Sequence, residues 1–142
     1  MKEEIIIDGQ LCAIILRAEY DEGGIQFFTS NELSQQLASM SYKPGKIISA
    51  HTHRPVRREV LFTQEALFIR KGKLRVDFYT ADQEYRCSRI LQKSDVCLLI
   101  GGGHGFEVLE ELNMIEVKQG PYAGNEDKVV FSTKPPAQLK FD

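Results

Sequence analysis

The chain lacks three features that would set it apart from ordinary globular proteins. No apolar run approaches the roughly 18 residues that a membrane-spanning helix needs. The 18 basic and 20 acidic residues nearly balance, so a net charge of −2 gives no electrostatic reason to expect nucleic acid. The three cysteines are scattered and form no CxxC pair. This pattern is typical of small buried side chains in a protein of a reducing compartment. We therefore expect a soluble cytoplasmic protein with no membrane and no nucleic-acid partner.

The length and the amino-terminal residues fit one globular domain. A chain of 142 residues with 42% apolar residues can bury one hydrophobic core without disulfide bonds to stabilise it. The start, Met1–Glu4, is acidic and leads directly into Ile5–Ile7, which is not the pattern of a signal peptide. We predict a single domain over residues 1–142.

Two-residue alternation is the strongest periodic signal. The stretch Lys73–Tyr79 alternates strictly, which places its apolar side chains on one face. Leu67 and Ile69 alternate in the same way, and Lys71–Lys73 is interpreted as a hairpin turn between the two stretches. Six further short stretches are predicted strands: Leu11–Leu16, Ile25–Phe28, Lys46–Ser49, Val96–Ile100, Phe106–Leu109 and Met114–Val117.

Few residues favour a helix. Ser30–Met40 is either at most one helical turn or a turn followed by a strand. Many short strands at near-regular spacing predict an all-β sandwich or barrel. The last segment, 132–142, contains Pro135-Pro136 and is expected to be an arm along an edge or a partner subunit, or to be loose.

All three histidines lie beside predicted strands. In a strand, His51 and His53 present both imidazoles to one side, because positions two apart share a face. Glu65 is in phase with Leu67 and Ile69, so its carboxylate heads an inward face. His104 follows a triple-glycine turn and is in phase with Phe106 and Val108, again predicted to face inward. Imidazole and carboxylate together suit Fe, Mn, Ni, Co or Zn, so these residues predict a metal site or a substrate-polarising site.

The same residues resemble a known family. One part of the sequence is similar to the first cupin motif: it consists of Pro44-Gly45, five residues, His51-x-His53, and later Glu65, six residues and Gly72. The stretch Ser94–His104 looks like a looser second cupin motif. Thr63–Glu65, Gly102–Phe106 and Lys118–Tyr122 further resemble small single-domain bacterial cupins of unassigned activity.

The resemblance implies a fold, a ligand set and an assembly. It implies a double-stranded β-helix, or jelly-roll barrel, with its metal-site core at about 43–117. It implies one divalent transition metal per chain, held by His51, His53, Glu65 and His104. Eleven residues separate His53 from Glu65, and Glu59 lies closer, so Glu59 stays open as the acidic ligand. The resemblance also implies a homodimer.

The expected function follows from such a site. It is a small-molecule metalloenzyme of the isomerase, epimerase, oxygenase or lyase class, acting on a hydroxy-carbonyl or sugar-like compound. Two alternatives stay open: a non-enzymatic ligand- or metal-binding module, and a metal-free sugar-nucleotide isomerase that uses a histidine as acid or base.

Several residues are weaker candidates for contacts with a substrate. They are Arg58 (with its neighbour Arg57), Phe106, Lys118 and Tyr122, and, weaker still, Gln36. An arginine of the first motif's loop suits a carboxylate or phosphate, although a solvated loop charge is the commoner role. The segment Lys118–Tyr122 is equally explained as a strand end followed by a Gly-Pro turn.

Overall fold

The computed structural model describes residues 1–132 and 138–141, and the chain divides into two compact units. Unit 1 comprises Met1–Tyr20 and Thr63–Asp142, and unit 2 comprises Asp21–Phe62. The described residues form strands and one 3-10 turn but no α-helix, which confirms the all-β class. None of them forms a helix long and apolar enough to cross a membrane.

Eight strands account for the regular structure of the described residues. In chain order they are β1 (Lys2–Ile7), β2 (Gln10–Leu16), β3 (Gly24–Phe27), β4 (Ala38–Ser41), β5 (Glu65–Tyr79), β6 (Tyr85–Gln92), β7 (Val96–Leu99) and β8 (Gly103–Lys118), followed by the 3-10 turn Gly124–Asp127. Unit 1 holds a six-stranded antiparallel sheet in the order β1-β2-β7-β5-β6, with β8 also paired to β5. Unit 2 holds the antiparallel pair β3-β4.

The long strand β5 organises unit 1. Its first residues, Glu65–Phe68, pair with β7, its last residues, Lys73–Tyr79, pair with β6, and β8 pairs along its whole length. Every strand of the sheet except β1 and β2 therefore contacts β5 directly. The sheet curls into half of a barrel.

The predicted hairpin turn at Lys71–Lys73 is wrong, because β5 continues through it. The alternation of buried and exposed side chains changes phase at this point. The buried positions are Leu67 and Ile69 before Gly72 but Leu74 and Val76 after it, and the pairing with β8 shifts register three times in this region. Such irregularities bend a strand and increase its twist.

The core of unit 1 lies on one face of the curled sheet. Its buried side chains come from β1, β2, β5, β6 and β7, namely Ile5, Ile7, Cys12, Ala13, Ile15, Leu67, Ile69, Leu74, Val76, Phe78, Leu91, Cys97 and Leu99. Burial raises the pKa of the Cys97 thiol to about 12, so this side chain behaves as a small apolar group. All three cysteines are free, as predicted, and Cys12 and Cys97 are buried.

A buried carboxylate joins three segments of unit 1. Asp95 accepts hydrogen bonds from the Arg17 guanidinium at 2.9 Å and from the backbone N–H groups of Ala18 at 2.9 Å and Gln92 at 3.0 Å. Arg17 also binds Glu3 at 2.5 Å. Because these partners satisfy the charge inside the protein, the side chain is held in place at only 1% exposure.

A second ionic network ties β5 to β6 and β8. Arg75 donates two hydrogen bonds to the Asp77 carboxylate, at 2.8 and 2.9 Å, and reaches Glu107 at 2.6 Å. Ser88 donates to the Asp77 carboxylate at 2.5 Å. The two-point pairing lies within β5 and orients both side chains, so that Arg75 reaches β8 through Glu107 and Asp77 reaches β6 through Ser88.

The C-terminal segment meets β6 at Lys140. The Ser88 N–H donates to the Lys140 carbonyl at 2.7 Å, and the Lys140 N–H donates to the Tyr85 hydroxyl at 2.9 Å. These bonds place Lys140 beside β6. The remainder of the predicted arm includes 133–137 and 142, which lie outside the described residues.

Unit 2 has less regular structure than the sequence predicts. The strand predicted near Ile25 is confirmed as β3, and Ser30–Met40 forms a turn followed by β4, one of the two readings left open. The strand predicted at Lys46–Ser49 is wrong, because no strand occurs between β4 and β5. Pro44-Gly45 forms the predicted turn, but the chain after it has no ladder partner.

Gly72 is expected to be intolerant of any side chain. Its φ is +84°, and a Cβ atom there would lie 2.1 Å from the Glu111 carbonyl oxygen. Gly72→Ala should therefore lower the free energy of unfolding by about 2 kcal/mol or more, since both strain and a backbone clash oppose it. Urea denaturation followed by circular dichroism measures the change.

Gly101→Ala is the matched control, because nothing lies within 4 Å of a Cβ atom at Gly101. Its midpoint should stay near that of the parent. Equal midpoints for the two variants would contradict the close approach at Gly72.

Candidate functional site

A histidine and a glutamate from opposite ends of the β5–β8 ladder meet in unit 1. The His104 Nε2 atom lies 3.2 Å from the Glu65 Oε2 atom, and the two side chains are 31% and 18% exposed. Glu65 begins β5 and His104 is the second residue of β8. The two predicted ligands of unit 1 are thus brought together, and both are reachable from solvent.

Strand connectivity explains this meeting. Leu99 of β7 lies opposite Glu65, whereas His104 of β8 lies opposite Phe78. A straight strand would separate Glu65 from Phe78 by about 43 Å. Only Ile100–Gly102 link β7 to β8, and the chain from Leu99 to Gly103 spans at most about 14 Å. The two ends of β5 must therefore approach each other, and the bend at Gly72 allows it.

Charge around Glu65 favours its ionised form. The pKa of Glu65 lies below its ordinary value, first because of its hydrogen bond with His104 and further because of the charges of His104 and Lys118; burial and the nearby Asp127 carboxylate oppose the shift. Lys118 is the cross-strand neighbour of Glu65, and its ammonium lies 3.9 Å from the Asp127 carboxylate. Glu65 is consequently a carboxylate, available as a hydrogen-bond acceptor or metal ligand.

The segment that enters β5 is tied to the segment that leaves β8. The Gln64 N–H donates to the Gln119 side-chain oxygen at 2.5 Å, and the Thr63 hydroxyl donates to Asp127. Thr63–Glu65 and Lys118–Tyr122, singled out separately in the sequence, are therefore neighbours in unit 1. Sequence reasoning missed Asp127, because no periodicity or motif marks this residue of the 3-10 turn.

The other two predicted ligands lie in unit 2, on irregular and exposed chain. The ring centroids of His51 and His53 are 5.3 Å apart and nearly perpendicular. His51 Nδ1 lies 2.9 Å from the Ser49 carbonyl oxygen. In the tautomer that carries its proton on Nδ1, the ring donates a hydrogen bond to this oxygen. The predicted strand under this pair is absent, but the two imidazoles are adjacent.

The apolar residues beside His104 are half exposed. The ladder places Phe106 opposite Val76 and Val108 opposite Leu74, so both share the face of the sheet that carries the core. Their predicted facing is therefore confirmed, but their predicted burial is wrong, since Phe106 is 43% and Val108 58% exposed. They lie on an outer strand of the sheet, where fewer neighbours cover them.

The remaining substrate candidates are distributed over both units. Tyr122 is 84% exposed in unit 1. In unit 2, Gln36 is used structurally, because its side chain bonds Thr29, Ser30 and Leu33. An open groove of about 860 Å³ in unit 2 has Arg58 on its wall, and it is lined by Phe27, Asn31, Glu32, Leu33, Ser34, Gln36, Arg58 and Glu59.

Comparisons with protein-family models, with curated proteins and with solved structures found no match for the chain. Within the described part of each unit, no three His, Cys, Asp or Glu side chains converge in a manner able to hold a metal ion. The donor pairs Glu65–His104 and His51–His53 are each formed within one unit. The cupin resemblance therefore rests on the residues alone.

The lowered pKa of Glu65 predicts a specific pH dependence of stability. Its carboxylate stabilises the folded chain above the ordinary pKa of 4.5, and this contribution is lost as the pH falls through the lowered folded-state pKa. Glu65→Gln should therefore flatten the decline of the urea midpoint between about pH 6 and pH 3.

Glu111→Gln is the control for this measurement. Glu111 is also a carboxylate in an ion pair, with Lys71 at 2.7 Å, but it is 84% exposed. The Glu111→Gln variant should show the same decline of the urea midpoint with falling pH as the parent. A profile for Glu65→Gln that superimposes on the parent's would show that the His104 contact does not stabilise the carboxylate.

Proposed function

We propose that the protein is a metal-binding, cupin-like protein that acts on a small hydroxy-carbonyl or sugar-like compound. The cupin resemblance implies one divalent transition metal per chain, with Glu65, His104, His51 and His53 as its ligands. The observation that carries the proposal is the 3.2 Å separation of the Glu65 and His104 donor atoms.

That separation suits two ligands of one ion. Nitrogen and oxygen donors bind such metals at about 2.1 Å, so two donors at right angles lie about 3.0 Å apart. A carboxylate that remains ionised and an imidazole suit iron, manganese, nickel, cobalt or zinc. The residues present in unit 1 thus fit half of the proposed ligand set.

His51 and His53 supply donors of the appropriate kind for the other half. With Nδ1 of His51 directed at the Ser49 carbonyl, its Nε2 is left as the ligating nitrogen. Metal-binding histidines commonly hold their second nitrogen in this way, since the hydrogen bond fixes the tautomer and the orientation of the ring. Both histidines lie in an exposed segment, so their imidazoles are accessible from solvent.

The surrounding side chains define what the chain itself contributes. A bound metal would supply Lewis-acid or redox chemistry. Phe106 and Val108 offer apolar surface beside His104, where the carbon skeleton of a substrate can pack. Lys118 places a positive charge beside Glu65, where it favours an anionic oxygen. Isomerase, epimerase, oxygenase and lyase reactions are the classes that we propose for this combination.

Metal content tests the proposal directly. Tag-free protein, incubated with Fe, Mn, Ni or Zn salts and desalted, should retain close to one metal per chain by plasma mass spectrometry. His104→Ala and Glu65→Gln should each reduce the metal affinity by at least about tenfold, because each removes one donor. His51→Ala should do the same.

Glu111→Gln separates ligand loss from a general change of charge, since it removes an exposed carboxylate of the same sheet. It should retain the parent's metal content. Retention by His104→Ala, or no retained metal in the parent with any of the four salts, would overturn the metal site. Stoichiometric metal without turnover of any hydroxy-carbonyl compound would favour the binding-module alternative.

A metal-free acid–base function is the second candidate, and the same contact favours it. A carboxylate hydrogen-bonded to His104 Nε2 holds the ring in one tautomer and one orientation, as in many general bases. The other ring nitrogen would then exchange a proton with a carbon acid, for example in a sugar nucleotide.

Proton exchange distinguishes this candidate. Chelator-treated protein in D₂O should catalyse exchange of a proton α to the carbonyl in a panel of hydroxy-carbonyl compounds and sugar nucleotides, followed by NMR. His104→Asn should abolish the exchange, and Glu65→Gln should reduce it by at least about tenfold. Exchange that appears only after metal is restored would exclude the metal-free reaction.

A further inference from the structure

The charges of the chain are distributed unevenly. Between Lys43 and Phe62 there are five basic residues and one acidic residue, whereas the rest of the chain has 13 basic and 19 acidic residues. Three of the five are arginines, Arg54, Arg57 and Arg58, and they lie within five consecutive positions. A nearly neutral protein thus carries a local positive charge in unit 2.

The arginines of this segment differ from most others in their partners. In unit 1, Arg17, Arg75, Arg86 and Arg89 each form an ion pair with a carboxylate. Among the described residues, no hydrogen bond or ion pair is made by Arg54, Arg57 or Arg58. All three are exposed and lie within five consecutive positions, so an anion bound by this segment would meet positive charge that no carboxylate of the described residues neutralises.

The position of the arginines connects them with the proposed donors. Arg54 directly follows His53, and Arg58 is five residues from His53, which is at most about 17 Å of extended chain. Pro55 fixes its own φ and limits the backbone freedom of Arg54, so less conformational entropy is lost when the segment closes on a ligand.

We propose that the substrate of this protein is a small organic oxyanion, and that Arg54, Arg57 and Arg58 bind its carboxylate or phosphate group. Guanidinium groups match both groups with paired, charge-assisted hydrogen bonds. This inference rests on the proposed function, because it assigns the substrate class of the same site.

The groove in unit 2 accounts for the uncharged part of such a ligand. Arg58 lies on its wall together with Phe27, a residue that is 62% exposed. Glu32 and Glu59 line the same groove, so a free anion gains little from the groove alone. An organic anion gains both the arginine contacts and apolar contact with Phe27.

The test measures anion binding separately from metal binding. Succinate and inorganic phosphate are titrated calorimetrically into full-length protein, once after chelator treatment and once with metal restored. At least one of the two should bind the chelator-treated protein. The double variant Arg57→Gln/Arg58→Gln should weaken that binding by about tenfold or more, as expected for lost charge-assisted hydrogen bonds. The preferred probe identifies the carboxylate or phosphate class.

Two controls make the result specific. Arg70→Gln removes another exposed arginine that has no described partner, and it should leave the affinity unchanged. His51→Ala should lose metal but still bind the anion in the chelator-treated state, so failure of the metal site and failure of the anion site are read independently.

Three results would overturn the inference. The first is the absence of binding by both probes in both states. The second is a loss of affinity in Arg70→Gln as large as in the double variant, which would indicate diffuse charge. The third is binding to phosphatidylserine vesicles with no affinity for either small probe, which would make the ligand a lipid surface.

Discussion

The close approach of two backbones at Gly72 is the constraint on which unit 1 depends. With φ at +84° and the Glu111 carbonyl where a Cβ atom would be, only glycine fits there. This contact sits where the β5–β8 ladder shifts register and the buried positions change phase. The bend in turn allows β7 and β8 to be joined by three residues. Without it, the ends of β5 would lie far apart, and Glu65 would not meet His104.

Local alternation predicted much of unit 1 but not its continuity. The pattern at Lys73–Tyr79 and at Leu67–Ile69 identified two buried faces correctly, because side-chain direction in a strand has a period of two. Lys71–Lys73 looked like a hairpin, since a phase change beside a glycine is common to a turn and to a register shift. Only long-range pairing with β8 distinguishes the two, and a single sequence does not show it.

The candidate site was predictable to a similar degree. The facing of Glu65 and of His104 follows from their phase with neighbouring apolar residues, and their contact agrees with it. The exposure of Phe106 and Val108 cannot be derived from the phase of the alternation, because it depends on whether another strand lies beyond β8. The strand expected before His51 failed for the same reason: unit 2 pairs only β3 with β4. Asp127 was missed because its contacts are entirely tertiary.

The meeting of Glu65 with His104 has a consequence for the order of folding. The two residues are 39 positions apart in the sequence. Their contact requires the ladders of β5 with β7 and of β5 with β8, together with the short link between β7 and β8. Contacts of high sequence separation form slowly, because the chain entropy lost in closing them precedes the stabilisation they bring. The pair is therefore assembled as the sheet closes, so a chain that has formed only its local hairpins contains Glu65 and His104 but not their contact.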